Sequence, residues 1–448
     1  MRTAIGIDIG GTFVDIVVAD ETGVRFAKAP STPSAPAEGV LRTLADLISR
    51  REIDPTDVAR IVHGSTVATN ALLEGKTART ALITTRGFRD VLEIGRQNRD
   101  SLYDLGFERT PPIVPRDLRF EVSERVDAAG DVLVPLAEDE VAAVAEKLVK
   151  EHVEAVAIAF LFSYLRPEHE RRVRELLREC LSVPVVLSSD VLPEFREFER
   201  TSTTVVTAAL RPVVGAYLAA LERGAEALGL PRSWQIMQSS GAVMSAGAAQ
   251  EEPGRLLLSG PAGGVQGARA VGEAVGERNL ITLDMGGTSC DVALVSDGGI
   301  DWTASGSVAS RAVALPMVSV HTIGAGGGSV AWIDAGGALR VGPESMGADP
   351  GPACYGRGGT TPTVTDAHLV LGHLASHRAI GGLAALDVES AREAIDRVVA
   401  KPLRLSVEGA ALGILEVADA SMERAIRVVS VERGRDPREY ALLAFGGA

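Results

Sequence analysis

The chain contains 448 residues, of which 46% are hydrophobic and 23% are charged, and its formal net charge is −14. This length predicts roughly two to four domains with their own cores, and the composition is typical of a soluble globular protein. The negative charge argues against non-specific binding to nucleic acid or to an acidic membrane surface, although local loops on an acidic protein can still bind phosphate.

The first part of the chain predicts a β-rich start followed by alternating strands and helices. Strands are predicted over residues 3–9, 13–19, 59–63, 78–84, 153–160 and 183–187. Helices are predicted over residues 38–51, 137–151 and 168–181. Residues 95–135 are rich in Arg, Pro and Asp and predict an irregular insertion with short strands. This order of elements is typical of an α/β layer with a parallel core.

The second part opens with a long helical pattern over residues 201–228 that contains Pro212. After it, a strand is predicted over 235–238, a glycine-rich loop over 258–264, helices over 265–277, 388–400 and 408–433, and a strand over 440–445. The boundary between two lobes is predicted just before the long helix. The predicted domains are therefore residues 1–198 and 199–448.

One short pattern occurs twice, once in each predicted lobe. Residues 8–15 and 284–291 both read Asp-x-Gly-Gly-Thr-x-x-Asp, and each copy lies between two apolar runs. The glycines let the backbone approach an anion, so that their N–H groups form a cradle to which the Thr hydroxyl adds a donor. The matched pair predicts a nucleotide clamped between two lobes by Gly10, Gly11, Thr12, Gly286, Gly287 and Thr288.

The aspartates of the two motifs are candidates for metal binding and catalysis. Asp8 and Asp284 are the predicted Mg²⁺ residues, acting through water because Mg²⁺ keeps part of its hydration shell. Asp284 is alternatively a residue that orients a nucleophile. Asp15 and Asp291 either contact the nucleotide or only cap their own turns by accepting backbone N–H bonds.

Three further groups of polar residues are candidates for the site. His321 is a candidate catalytic residue and precedes a run of three glycines that includes Gly326 and Gly327. This segment predicts either a second anion cradle for a phosphorylated intermediate or a tight turn whose histidine is hydrogen-bonded within the core. A second group lies where a predicted strand ends and a helix begins, and comprises His63, Ser65, Thr66 and Asn70. These residues are predicted either to contact the substrate or to be helix-cap and core residues. The third group consists of three arginines, Arg86, Arg96 and Arg99. They are predicted either to bind a substrate carboxylate or carbonyl group or to form a solvated face.

The cysteines and the N-terminus indicate the compartment. Cys180, Cys290 and Cys354 are far apart and include no C-x-x-C pair, which suits a reducing environment, and the last two are predicted to be buried thiols. The first apolar run is broken at Asp8, so no signal peptide is predicted. The sequence contains no run of about 18 apolar residues, the length that would predict a membrane span. We therefore expect a cytoplasmic protein.

The ordered series of motifs resembles the A-type, ATP-binding subunit of the hydantoinase/oxoprolinase family. The matching stretches are residues 63–71, 81–88, 199–204, 258–264, 284–291, 321–329, 347–356 and 431–434. The resemblance implies two RNase-H-like lobes of the actin/sugar-kinase/heat-shock ATPase superfold, with ATP and Mg²⁺ in a cleft between them. It also implies a B-type partner subunit. The end of the chain resembles the start of an adenosine-side loop, which predicts nucleotide contacts for Gly446 and Gly447 and a truncated chain.

The predicted function is ATP-dependent ring opening of a cyclic amide, such as a hydantoin or 5-oxoproline, after phosphorylation of the amide oxygen. Three alternatives stay open: a subunit of an ATP-dependent ketone carboxylase of the same family, a sugar or acyl kinase, and a non-catalytic ATP-binding switch. Two departures from the family pattern favour the switch. Val14 stands where many relatives have Thr, and Ser319 stands where they have Asp.

Overall fold

The computed structural model describes residues 2–10, 13–32, 35–98, 103, 106–377 and 385–447. The predicted nucleotide contacts Gly11 and Thr12, and Arg99, therefore lie outside the described residues. The contacts between residues in space divide the chain into two compact units. The first unit comprises Met1–Ala27, Ser31–Gly260 and Thr303–Met317, and the second comprises Lys28–Pro30, Pro261–Trp302 and Val318–Ala448.

The strands of the described residues follow in chain order. They are β1 (Thr3–Ile9), β2 (Phe13–Asp20), β3 (Gly23–Pro30), β4 (Val58–Ser65), β5 (Thr80–Thr85), β6 (Arg119–Val122), β7 (Arg125–Val126), β8 (Val132–Val134), β9 (Ala155–Ala159), β10 (Val185–Leu187), β11 (Trp234–Met237), β12 (Val243–Ser245), β13 (Leu280–Met285), β14 (Cys290–Ser296), β15 (Gly299–Ile300), β16 (Trp302–Thr303), β17 (Gly306–Val308), β18 (Arg311–Val313), β19 (Met317–Val318), β20 (Val320–Ile323), β21 (Ser329–Ile333), β22 (Leu339–Ser345) and β23 (Ala441–Phe445).

The α-helices of the described residues are given in the same order. They are α1 (Pro36–Ser49), α2 (Val67–Leu73), α3 (Val91–Ile94), α4 (Glu138–Lys150), α5 (Glu168–Arg178), α6 (Ser188–Val191), α7 (Glu197–Ala227), α8 (Ala246–Glu251), α9 (Ser259–Val275), α10 (Val364–Val370), α11 (Val388–Ile395), α12 (Lys401–Leu403) and α13 (Val407–Val429). A π-helical turn, Asp396–Ala400, joins α11 to α12.

The first unit contains a six-stranded mixed sheet in the order β12-β11-β4-β1-β2-β3. Strand β1 runs antiparallel to β2 and parallel to β4. Ile5, Ile7 and Ile9 of β1 are at most 3% exposed, whereas Asp8 between them is exposed. This alternation follows from the two-residue period of a strand, which turns the isoleucines to the core and Asp8 to the other face.

A second sheet of the first unit has four parallel strands in the order β10-β9-β5-β6. All residues of β5 and β9 are buried, as expected for strands of a parallel sheet that is covered on both faces. Helix α7 contributes Val206, Leu210 and Val214 to the core of the first unit. The predicted boundary at residues 198 and 199 therefore falls at the start of the helix that completes this core.

Helix α7 is also the one described helix that is long and apolar enough to cross a membrane. It has 31 residues, and 61% of its most apolar window is buried inside the protein. Buried Thr203, Thr204 and Thr207 donate their hydroxyls to backbone carbonyls one turn earlier, which satisfies these polar groups within the core. This is the pattern of a core helix.

The second unit contains a sheet in the order β15-β14-β13-β23. Strand β20 also belongs to this sheet and pairs with the part of β14 that does not pair with β15. Strands β13 and β14 form an antiparallel hairpin, and β23 runs parallel to β13. Helix α9 begins at Ser259, so the predicted glycine-rich loop over 258–264 is largely helical and the prediction was wrong there. Pro261 is tolerated because it lies in the first turn, where the backbone N–H groups have no helical partner.

Candidate nucleotide site and a neighbouring pocket

The first motif forms the turn between β1 and β2. The N–H of Gly10 donates to the carbonyl of Phe13 over 3.0 Å and closes the turn. Asp8 and Asp15 are direct partners across the two strands, and both lie on the face away from the core. The motif therefore places two carboxylates opposite each other at the base of the turn.

The second motif repeats this geometry between β13 and β14. The N–H of Gly286 donates to the carbonyl of Ser289 over 2.9 Å, and Asp284 is the cross-strand partner of Asp291. The second motif therefore also places two carboxylates opposite each other at the base of its turn.

Asp291 belongs to a polar row that crosses three strands. Thr322 of β20 lies opposite it and donates its hydroxyl to the carboxylate, and burial nevertheless raises the pKa of Asp291. His321 is opposite Val292, one residue further, and so lies on the other face of the sheet. There it lines a cavity of about 310 Å³ against α13. The sheet thus separates the His321 side chain from the aspartates, and a catalytic role for His321 stays a prediction.

The three-glycine run supports the second turn from behind. Gly327 and Gly328 donate their N–H groups to the carbonyls of Gly286 and Gly287 over 3.0 and 2.7 Å, and the N–H of Gly326 donates to the Ser329 hydroxyl. A Cβ at Gly326 would lie 2.6 Å from the carbonyl oxygen of Gly286. These hydrogen bonds support the second turn, and nucleotide binding by Gly326 and Gly327 stays a prediction.

The end of β23 lies beside the same turn. Phe445 is the parallel partner of Asp284, and a Cβ at Gly446, where φ is +116°, would lie 2.7 Å from the Asp284 Oδ1 atom. A Cβ at Gly264 of α9 would lie 2.9 Å from the Phe445 ring and 3.6 Å from Asp284 Oδ2. Close packing therefore explains the glycine at position 264. The chain brings Gly446 next to Asp284, and Gly447 follows Gly446 in the sequence.

The two departures from the family pattern have local explanations. Val14 is fully buried in the core beneath the first turn, on the opposite face from Asp15, so a hydroxyl at this position would not face the carboxylates. Ser319 accepts a hydrogen bond from Arg433 Nη1 over 2.9 Å, and Arg433 also lies 4.0 Å from the carboxylate of Asp301. Burial raises the pKa of Cys290 to about 11, which argues against a nucleophilic thiolate.

A cavity of about 530 Å³ lies beside the first turn, within the first unit. Ile9 and Gly10 line it, together with Thr66 and Asn70 of the strand-to-helix segment and with Tyr217 of α7. The sequence pattern pointed to Thr66 and Asn70, whereas nothing in the sequence singled out Tyr217, because it is brought there only by the packing of α7. No group of three or more His, Cys, Asp or Glu that could hold a metal occurs in the described part of the chain.

His63 lies behind this cavity and is fully buried. Its Nδ1 atom is 3.3 Å from the carbonyl oxygen of Ile7, and its Nε2 atom is 2.7 Å from the Tyr217 hydroxyl. Because a carbonyl can only accept, Nδ1 carries the proton and Nε2 accepts from Tyr217. The buried imidazole positions Tyr217, and a substrate contact of His63 stays a prediction.

The buried imidazole makes stability depend on pH. Burial lowers the pKa of His63 from 6.5 to about 4, so between these values the unfolded chain binds a proton that the folded protein does not. We expect the free energy of unfolding to fall by up to about 3 kcal/mol as the pH drops through this window. Urea unfolding of wild type and His63→Gln from pH 7 to pH 4 measures it. Equal pH slopes in both proteins would contradict the assignment.

The two remaining predicted substrate residues have structural partners. Ser65 is buried and its hydroxyl accepts the N–H of Val67 at the start of α2. Arg96 forms a two-point ion pair with Glu199, with N–O distances of 2.7 and 2.5 Å. Neither residue lines the cavity, and a substrate contact for either stays a prediction.

Models of a protein family match both parts of the chain. The model described as hydantoinase/oxoprolinase N-terminal region matches residues 4–181, and the model described as hydantoinase/oxoprolinase matches residues 200–448.

Three characterised relatives are similar to almost the whole chain. Caprolactamase subunit alpha of Pseudomonas jessenii is 40% identical over 452 residues, and 5-oxoprolinase of Saccharomyces cerevisiae is 34% identical over 504 residues. These alignments cover 99% of this chain but 65% and 38% of the relatives, so the chain spans less than two thirds of each. The structure of the ATP-dependent caprolactamase superposes with a TM-score of 0.89 at 39% identity, covering 99% of this chain and 66% of that one. Nucleotide-free acetone carboxylase gives 0.84 at 32% identity, covering 100% and 66%.

Proposed function

The chain belongs to the hydantoinase/oxoprolinase family, and from this premise we propose that it is the ATP-dependent subunit of an enzyme that opens a cyclic amide. The observation that carries the proposal is the pair of turns, each closed by the same hydrogen bond and each with two facing aspartates. Cyclic amide hydrolysis is favoured because a caprolactamase subunit and a 5-oxoprolinase are among the relatives.

In our proposal the residues at the two turns contact the triphosphate group of ATP. The closure of each turn uses the N–H of its first glycine, and the Gly287 carbonyl accepts from Gly328, which fixes the orientation of the neighbouring peptides. The residues that we propose to contact the nucleotide are Gly10, Gly11, Thr12, Gly286, Gly287, Thr288 and Asp291. Gly446 and Gly447 extend the same site toward the nucleoside, because the chain passes beside Asp284 there.

Asp8 and Asp284 fit a magnesium ion held partly through water. Mg²⁺ in phosphoryl-transfer sites uses one or two carboxylates together with substrate phosphates, so a cluster of three protein ligands is not required. Each aspartate lies at the strand end that leads into its turn. In our proposal their charge orients the ion toward the phosphates.

An unactivated amide carbonyl is a poor electrophile, and ATP supplies the activation. Transfer of its γ-phosphoryl group to the amide oxygen releases ADP. Water then adds to the ring carbon, and the C–N bond breaks to leave a free amine and an acyl phosphate. A second water hydrolyses the acyl phosphate to the carboxylate and inorganic phosphate. The chain's contribution is positioning and charge stabilisation at the turns. We further propose the two RNase-H-like lobes of the actin/sugar-kinase/heat-shock ATPase superfold, a B-type partner subunit and a cytoplasmic location.

One alternative has specific support. The structural similarity to acetone carboxylase keeps an ATP-dependent carboxylase subunit as the second candidate, in which a ketone takes the place of the amide. A non-catalytic ATP-binding switch is less favoured, because Val14 is buried away from the carboxylates and does not remove a donor from the turn.

Phosphate release from ATP tests the proposal. The complete protein, with and without a B-type partner, is assayed with neutral lactams, hydantoin, 5-oxoproline and ketones. We expect at least one cyclic amide to stimulate release several-fold, whereas ketones with bicarbonate do not. Stimulation by ketones alone would establish the carboxylase instead, and ATP binding without stimulation by any compound would establish the switch.

A further inference from the structure

We infer that the cavity beside the first turn is the amide-binding pocket and that it selects small, neutral cyclic amides with a free N–H group. This inference rests on the proposed function and names its substrate class. The cavity has about 530 Å³, within the usual range for small-molecule sites. Ile9 and Gly10 form part of its wall, so a molecule inside it lies next to the turn proposed to hold phosphate.

The wall of the cavity is mainly apolar. Its apolar side chains come from β1, α1, α2 and α7, and include Ile9, Ala37, Val67, Ala71, Val213 and Ala220. Such a wall stabilises the methylene groups of a ring by removing them from water. Its few polar groups therefore decide which functional group of the ring is accepted.

Asn70 supplies the hydrogen-bonding group that reads the amide. The Thr66 hydroxyl donates to the Ile9 carbonyl over 3.0 Å, so its oxygen can only accept from Asn70 Nδ2, which is 3.1 Å away. This contact fixes which end of the Asn70 amide is the nitrogen. The Oδ1 atom has no hydrogen-bond donor among the described residues. It is therefore available to accept the N–H of a bound lactam, which would leave the lactam oxygen free to react.

The charges at the cavity disfavour an anionic substrate. Its charged lining residues are Glu38, Glu74 and Lys76. Lys76 pairs with Glu74 over 2.6 Å, and because all three side chains are exposed they form a rim with a net charge of about −1. A substrate carboxylate entering here would lose hydration against the apolar wall and meet like charge at the rim. A neutral lactam has no such cost, so the lining distinguishes it from 5-oxoproline.

Three compounds with the same five-membered ring test the inference. They are 2-pyrrolidinone, its N-methyl derivative, which lacks the N–H, and 5-oxoproline, which adds a carboxylate. We expect 2-pyrrolidinone to bind the complete protein at least tenfold more tightly than either of the others, measured by ligand-observed NMR in the presence of a non-hydrolysable ATP analogue. The factor follows from leaving Asn70 unpaired or burying an unpaired charge. Equal binding of all three, or preference for 5-oxoproline, would overturn the inference.

Variants place the site at the cavity. Ala220→Phe, which fills it from α7, should weaken 2-pyrrolidinone binding at least tenfold, whereas Ala216→Phe on the exposed face of the same helix should not change it. Asn70→Ala should remove the difference between 2-pyrrolidinone and its N-methyl derivative. Unchanged binding in Ala220→Phe would place the amide elsewhere. Because these are binding measurements, they decide the inference even if no lactam stimulates ATP turnover, the result that would reject the proposed function.

Discussion

Replacing Asp8 or Asp284 by Asn is expected to lower lactam-stimulated phosphate release by about 100-fold or more. Each carboxylate lies at the base of a turn, where its charge holds the proposed magnesium ion against the phosphates. Loss of one preorganised electrostatic group at a reacting centre typically costs about 10²–10³ in rate. The kcat of each purified variant, measured at saturating ATP and lactam, gives the effect directly.

Asp297→Asn is the matched control for these two substitutions. Asp297 is exposed in the turn between β14 and β15 and has a φ of +51°, which Asn tolerates as well as Asp does. We expect its kcat to stay within about twofold of wild type, since a remote surface change usually has little effect. Activity of Asp8→Asn and Asp284→Asn at the level of this control, in folded protein, would remove the aspartates from the site.

A single methyl group at Gly326 is expected to reduce kcat/KM for ATP more than tenfold. The added Cβ would lie 2.6 Å from the Gly286 carbonyl oxygen and 2.7 Å from the Gly287 carbonyl carbon, so the backbone of the second turn must shift. A displacement of about 1 Å in a positioning element can cost about 10² in rate. Overpacking should also lower the free energy of unfolding by about 1–3 kcal/mol. Steady-state kinetics and urea unfolding measure the two effects.

Gly267→Ala provides the comparison for Gly326→Ala. Gly267 is exposed on α9, and a Cβ there would meet nothing within 4 Å. The same change should leave ATP kinetics unaltered and stabilise the helix by up to about 1 kcal/mol, because Ala is a better helix former than Gly. If Gly326→Ala behaves like Gly267→Ala, the glycine run does not support the phosphate turn.

The strands and their turns could be predicted because the evidence for them is local. Apolar runs on either side of the repeated motif indicated β1, β2, β13 and β14, and the motif itself indicated the glycine turns. The cross-strand pairing of Asp8 with Asp15 and of Asp284 with Asp291 follows from equal spacing within a hairpin. The predicted α/β fold class was confirmed, because the local patterns that indicate strands and helices also indicate the fold class.

The contacts that the sequence did not predict depend on which face a residue takes and on packing between distant segments. His321 precedes a glycine run in the sequence, but the register of β20 turns it to the α13 face, which no local pattern reveals. His63 has the polarity of a substrate contact, yet it is buried against Tyr217, a residue 154 positions away. Gly326 and Gly327 were predicted to bind the nucleotide, and the hydrogen bonds that their N–H groups donate within the protein could not be read from the sequence.

The central claim is that both glycine turns bind one ATP molecule, and a crystal structure with a non-hydrolysable ATP analogue and Mg²⁺ tests it most directly. We predict one analogue whose phosphates contact both the turn after Asp8 and the turn after Asp284, with the metal ion near these carboxylates. An analogue bound at only one turn, or at a site that includes neither, would contradict the account.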